Sequence, residues 1–162
     1  MRKIMLLLAL LSLPLSLWAA DPIIGTWVLS STKTAEYEKS LNLTPADPST
    51  FRWSSRTEAY KELKSGLIEM TLTIIGTDGS TEAAKVTWPA QGGIAEQESS
   101  EGILIVETLV APGEWYVTRI QGGKQIQLIH KVVSEDGQIM RQTIEGIGEW
   151  GSYKGGMVFE RQ

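Results

Sequence analysis

From Ile24 to the C-terminus the chain is cut into short stretches of alternating apolar and polar residues, separated by Gly, Asp and Pro; no other feature constrains the fold as much. Alternation with a period of two sends successive side chains to opposite faces of a strand, so repeated segments punctuated by turn residues describe an all-β sandwich or barrel. Nine candidate strands follow, over residues 24–31, 50–60, 66–76, 80–88, 103–110, 114–121, 124–133, 138–145 and 157–161. A single helix is expected from Ala35 to Leu43, with Thr34 as N-cap, Glu36 and Glu38 early, Tyr37 and Leu41 on one face, and Pro45 beyond its end. It falls between the first two strands.

Arg2-Lys3, an apolar run from Ile4 to Leu17, and Trp18-Ala19-Ala20 form the charged, apolar and small-residue sections of a secretory signal peptide, with cleavage expected after Ala20. The run falls short of the ~18 apolar residues of a membrane span, and Ser12, Pro14 and Ser16 interrupt it. The expected organisation is therefore a signal over residues 1–20 and one domain over 21–162, periplasmic or secreted and not inserted in a membrane. There is no cysteine, which removes disulfides and lipid attachment at the cleavage site. The formal net charge of -4 becomes more negative once Arg2 and Lys3 leave, and no basic run remains, which argues against nucleic acid or an anionic membrane as partner.

Turn chemistry assigns faces, because directly opposed residues point to the same side of a sheet. A two-residue turn at Gly122-Gly123 pairs Arg119 with Ile126, Val117 with Leu128 and Trp115 with His130. This predicts a lumen face of Trp115, Val117, Arg119, Ile126, Leu128, His130 and Val132, with Glu114, Thr118, Gln127 and Lys131 outside. At Asp78-Gly79 and Asp136-Gly137 a bulged three-residue loop is expected: it turns Val86, Trp88, Met140, Gln142 and Ile144 inward and keeps Lys85, Arg141 and Glu145 in water. With nine strands running up and down from the closed end, both Asp-Gly turns lie at the mouth with the helix, and Gly122-Gly123 lies at the floor. Trp27, Trp88 and Arg119 are then near the floor, and Trp115, His130, Met140 and Gln142 near the mouth.

Gly25-Thr26-Trp27, followed by Val28-Leu29, is a Gly-x-Trp opening of the kind with which lipocalins begin. Asp21-Pro22-Ile23-Ile24-Gly25-Thr26-Trp27-Val28-Leu29 resembles the start of small exported bacterial proteins with a lipocalin-like, calycin-type domain. Val133 to Met140 resembles that family's Ser-x-Asp-Gly-x-x-Met turn, and Val158 to Gln162 its closing strand. The resemblance implies an up-and-down β-barrel of eight to ten antiparallel strands with one short helix between the first two. It also implies a structural closed end of Gly25, Trp27 and an arginine set against that tryptophan. Arg119 and Arg161 are the candidates. A nine-strand path favours Arg119, and an even strand count reverses the choice.

The function expected is reversible binding of a small apolar or amphipathic molecule in the lumen. Trp88, Val86, Val117 and Leu128 would supply contact area, and Trp115, Arg119, His130 and Gln142 would orient the polar part, with Met140 beside them. Catalytic motifs are missing: there is no cysteine nucleophile, Gly-x-Ser-x-Gly turn, His-rich metal spacing or phosphate-cradling loop. No catalytic residue, metal or cofactor is expected, and Glu82, if drawn toward the lumen, is the one candidate base. Glu96, Glu98 and Glu101 read as a solvated acidic loop, and Trp150 as a cap within a Gly-rich loop from Gly146 to Gly156. The alternative is a barrel filled by its own side chains that binds another exported protein through helix and loops. Free lumen volume separates the two.

Overall fold

The computed structural model describes residues 20–43, 53–97, 102–148 and 151–162. The expected signal segment up to residue 19, the start of the second candidate strand, Glu98, Glu101 and Trp150 lie outside them. The described chain forms β1 (Gly25–Leu29), α1 (Ser31–Ser40), β2 (Trp53–Glu62), β3 (Leu67–Gly76), β4 (Thr81–Pro89) and β5 (Gly93–Gln97). It continues with β6 (Ile103–Ala111), β7 (Glu114–Gln121), β8 (Lys124–Val133), β9 (Ile139–Gly148) and β10 (Gly151–Arg161). Neighbouring strands pair antiparallel, and β1 closes on both β2 and β10 to complete an up-and-down barrel.

The strand absent from the sequence reading is β5, inside the acidic connection. Its pairing is short, Val86 and Thr87 of β4 against Gln97 and Glu96 on one side and Gly93 to Ala95 against β6 on the other. Of Ile94, Ala95 and Glu96 only Ala95 is buried, so the segment carries almost no apolar signature. Its effect is nonetheless global. One extra strand reverses the direction of every strand after it. The Gly122-Gly123 turn therefore lies at the mouth and the Asp136-Gly137 turn at the closed end, opposite to the nine-strand placement.

A chain plug seals the closed end. Ile23 is buried, and its backbone carbonyl accepts the Trp27 indole N–H at 2.7 Å. The Asp21 carboxylate accepts the Ile23 and Gly113 backbone N–H groups and, at 3.3 Å, the Trp115 indole N–H. Arg161 stacks on Trp27 with its guanidinium carbon 4.4 Å from the ring centroid, and it donates to the carbonyls of Pro22, Ile24 and Gly137. Gly25 has φ +144, and a Cβ there would run into the Arg161 guanidinium. Arg161, not Arg119, is thus the arginine of the closed end. With an even strand count β10 finishes beside the start of β1, while Arg119 lies near the mouth end of β7.

At the mouth, β1 stops after five residues while β10 runs for eleven, and α1 fills the place that a longer β1 would occupy. Ser30 N–H bonds to the Val158 carbonyl at 2.8 Å, and the Thr34 hydroxyl accepts the Val158 N–H at 2.9 Å. This explains why the helix begins at Ser31: Thr34, the expected cap, serves β10 instead. The Tyr37 hydroxyl pairs with Thr143 Oγ1 at 2.7 Å, and the Tyr37 ring lies 2.9 Å from where a Cβ on Gly156 would sit, so glycine there lets the helix approach.

Candidate functional site: a layered lumen

The inward rows build three levels. The lowest is solid. Trp27, Trp115, Met140 and Phe159 are fully buried, with Ile68 and Trp88 nearly so. Tyr60, Trp88 and Trp115 form successive edge-to-face pairs with centroids 6.2 Å apart, an arrangement that complements the negative ring face with a positive edge.

Above them runs a polar layer that the sequence reading missed. Glu58 is 2 % exposed and is the hub. Its Oε1 accepts Arg56 Nη2 at 2.8 Å, and its Oε2 accepts the Tyr60 hydroxyl at 2.5 Å and Gln142 Nε2 at 2.8 Å. Lys131, also buried, donates from Nζ to the Tyr60 hydroxyl at 2.9 Å and lies over its ring. Burial pushes the Glu58 carboxyl up, but the charges of Lys131 and Arg56 and the hydrogen bonds from Tyr60 and Arg56 outweigh it and hold the carboxyl below its usual value. Burial, reinforced by the Glu58 charge and hydrogen bond, raises the Tyr60 phenol well above its ordinary value, so it remains a donor.

Glu107 differs. It is 3 % exposed and makes no hydrogen bond or ion pair with any described residue. Burial pushes its carboxyl up to about 7, the attraction of Lys131 and Arg119 being too weak to hold it down and Glu58 adding repulsion. Four further buried polar atoms lack a hydrogen-bond partner: Arg56 Nε, Trp88 Nε1, Arg119 Nε and Gln127 Oε1.

The highest level is open. A cavity of about 320 Å³ lies between α1 and the upper barrel, walled by Leu29, Ala35, Ile144, Met157 and Tyr153, with Arg56 reaching it from the polar layer. Inward positions next to it carry glycine: Gly155 opposite Ile144, and Gly146 opposite Tyr153. A second hollow of about 370 Å³ lies on the outer surface between α1 and β9–β10, lined by Lys33, Glu36, Tyr37, Ser40, Arg141 and Val158. It is an open, charged groove, whereas the lumen cavity combines apolar walls with a few polar groups, Ser31, Thr34, Glu38 and Arg56, which is the composition of a small-molecule site.

The expected site residues divide between the two faces. Trp88, Trp115, Val117, Met140 and Gln142 are buried in the lumen, but Trp115 and Met140 belong to the packed lower level and not to the mouth. His130 and Leu128 are on the outer face. Between Arg119 and Ile120 the β7–β8 pairing shifts by one, with Ile120 opposite Gln125 and Arg119 opposite Gln127, so Ile126 is left over and every later residue of β8 turns to the other side. Ile129 and Lys131 thus point inward, while Leu128, His130 and Val132 point outward. The imidazole of His130 stacks on Tyr116 at 4.3 Å and pairs with Glu114 at 2.9 Å. The β9 face comes out as expected because the Asp136-Gly137 connection is itself one residue longer than assumed, with Val133 opposite Met140. Two one-residue departures cancel. At Asp78-Gly79 none occurs: Ile68, Met70, Leu72 and Ile74 oppose Trp88, Val86, Ala84 and Glu82. Glu82 nevertheless lies exposed at the rim, which removes it as a lumen base.

A signal for the missed residues was present. In Arg56-Thr57-Glu58-Ala59-Tyr60 the period of two is intact, but the polar members are the inward ones. Glu107 likewise continues the inward row Ile103, Ile105 and Leu109.

The fold is a closed, ten-stranded antiparallel β-barrel with a short helix after the first strand. Crystal structures of the fluorescent protein UnaG share it: a point mutant matches with TM-score 0.56 and 16% identity over 89% of this chain and 99% of that one. The wild-type protein matches with TM-score 0.55 and 15% identity, over 89% and 100% of the two chains. At such identities the likeness shows the fold alone. No protein-family model and no curated protein matches the chain.

Proposed function

We propose that this protein is an exported carrier of the bacterial lipocalin-like kind that reversibly holds a small amphipathic molecule in the upper lumen, and that it is a binding protein and not an enzyme. The observation that carries the reading is the cavity of about 320 Å³ under α1, at the small end of the ~300 to 1,000 Å³ range of ligand sites. Leu29, Ala35, Ile144 and Met157 offer an apolar wall, and Arg56 offers a fixed charge for a polar or anionic head. The signal-like segment before Asp21 supports a periplasmic or secreted location.

The packed lower level is what the alternative, an interaction protein with a filled barrel, would require throughout. The hollow upper level favours the carrier. Native mass spectrometry of protein purified from its own host, with titration of the fluorophore 8-anilinonaphthalene-1-sulfonate into delipidated protein, tests the reading. A co-purifying small molecule and saturable one-to-one fluorophore binding are expected. Absence of both would remove the carrier.

A further inference from the structure

Three side chains on the β6–β7–β8 wall, the buried Glu107 and the partly buried Arg119 and Gln127, each carry a polar group without a partner, and they share one face. Ile105, Arg119 and Gln127 stand opposite one another across the three strands, and Glu107 follows Ile105 by two residues on the same side. Arg119 presents an orphaned Nε–H, Gln127 an orphaned Oε1 and Glu107 an unbonded carboxyl. Arg119 is directly opposed to Gln127 and diagonal to Glu107, about 5 to 8 Å from each and within reach of side chains this long, and it stands between the two. The wall also meets the cavity, because Tyr153, which lines the cavity, accepts the other end of Gln127, Nε2, at 2.7 Å.

Around Glu58 the buried carboxylate, phenol and amide satisfy one another, with Arg56 Nε and Trp88 Nε1 as isolated exceptions. Buried donors and acceptors in folded proteins are paired as a rule, so a group of unpaired ones on one wall of a binding lumen marks what a ligand brings. The inventory is specific: one N–H donor beside two acceptors. Its complement is a carbonyl oxygen next to N–H. A carboxylate would satisfy Arg119 but face the Gln127 oxygen and the Glu107 carboxyl, and an ester would leave both acceptors unmet.

Resting on the carrier reading above, we propose that Glu107, Arg119 and Gln127 form a second recognition subsite, selective for an amide-type group, whether carboxamide, lactam or urea, on the bound molecule. The carbonyl accepts from Arg119 Nε, and the N–H groups donate to Gln127 Oε1 and the Glu107 carboxyl.

The test is displacement of 8-anilinonaphthalene-1-sulfonate by octanamide and by methyl octanoate, which match in length and differ in N–H donors. Octanamide is expected to bind wild-type protein at least tenfold more tightly. That ratio should fall toward one in Glu107→Leu with ester affinity unchanged, whereas Arg119→Met, which removes the donor to the carbonyl that both probes carry, should weaken both. Should Arg119→Met fail to fold, Glu107→Leu carries the test, since it replaces an unbonded carboxyl with an apolar group. Equal displacement by both probes in wild type, a preference that survives in Glu107→Leu, or affinities for both probes unchanged in Arg119→Met, overturns the subsite while leaving the carrier intact. Failure of octanamide to compete with bound fluorophore removes the subsite too; failure of the fluorophore itself to bind removes both readings.

Discussion

Below the Glu58 layer the lumen is filled by Trp27, Trp88, Trp115, Met140 and Phe159, whereas above it the same barrel encloses about 320 Å³ of space. Both halves obey the same alternation, so the difference lies in side-chain size and in what closes the wall. In the lower half the inward positions are aromatic or long, and a chain plug held by Asp21 and Arg161 shuts the end. In the upper half Gly146 and Gly155 stand inward, and a helix replaces the missing length of β1. Under the proposed function, stability and binding are thereby assigned to different levels of one tube. The polar layer between them fixes register, since each partner of Glu58 comes from a stated position on β2 or β9.

Phe159→Ala should cut deepest into this division. It removes a fully buried ring from the lower half, and a loss of about 3 to 5 kcal/mol is expected in chemical denaturation. Fluorophore affinity at 25 °C should stay within a few fold, provided the variant remains folded. A collapse of binding in a folded variant would join the two halves.

Next comes pH. The Glu107 carboxyl stands at about 7 in the folded protein against an ordinary 4.5, so the folded state binds the proton more tightly than the unfolded one. Its contribution is unfavourable to folding once both states ionise: stability falls as pH rises from about 4.5 through 7, by about 3 kcal/mol at most. Glu58 has the opposite sign, its contribution being lost as pH falls below its ordinary value. Glu107→Gln should therefore match wild type near pH 5 and exceed it at pH 8 in urea titrations. A variant no more stable than wild type at pH 8 would contradict the assignment.

Arg161→Leu should lower stability by about 2 kcal/mol, through loss of the Trp27 stack and of charged donors to three carbonyls. Arg119→Leu should cost less, since no ring or carbonyl depends on it; the reverse order of melting temperatures would return Arg119 to the closed end. Gly155→Leu sharpens the comparison from above. Its Cβ has room, with Glu38 Oε1 at 3.9 Å as its one near neighbour, so the longer side chain should fill the cavity. Fluorophore affinity should drop at least tenfold with stability unchanged or raised. The smallest effect belongs to His130→Ala, which breaks a partly exposed pair with Glu114 and should cost about 0.5 kcal/mol without touching binding.

Much of this architecture could be read from residue order. Ile68, Met70, Val86 and Trp88 fell on one face because Asp78-Gly79 admits few turn types and the wrong one would have buried Lys85. Gly25 and Trp27 fall at the closed end through the resemblance of the Gly-Thr-Trp opening to that of lipocalins, and the structure supplies the reason: Arg161 stacks on Trp27 where a Cβ on residue 25 would stand. His130 was misplaced for a different reason. A bulge is decided by how two strands pair in three dimensions, and Lys124-Gln125-Ile126-Gln127 shows nothing that marks its third residue as extra. Lys131 shares the cause of His130, the bulge that turns β8 over. Glu58 and Glu107 are illegible because a charged residue reads as exposed, whereas here Glu58 is compensated by Arg56, Tyr60 and Gln142 and Glu107 is buried with a raised pKa.

Residue order by itself determined a β protein with a Gly-Thr-Trp closed end, a helix after the first strand and rows of inward and outward side chains. Which row meets which end, and which face of β8 looks inward, only the closed barrel decided. A five-residue strand held mainly by backbone hydrogen bonds reverses every later strand, and one unpaired residue rotates the remainder of β8 by half a turn. Neither event changes local hydropathy, so neither leaves a mark in the pattern that otherwise dictates the fold.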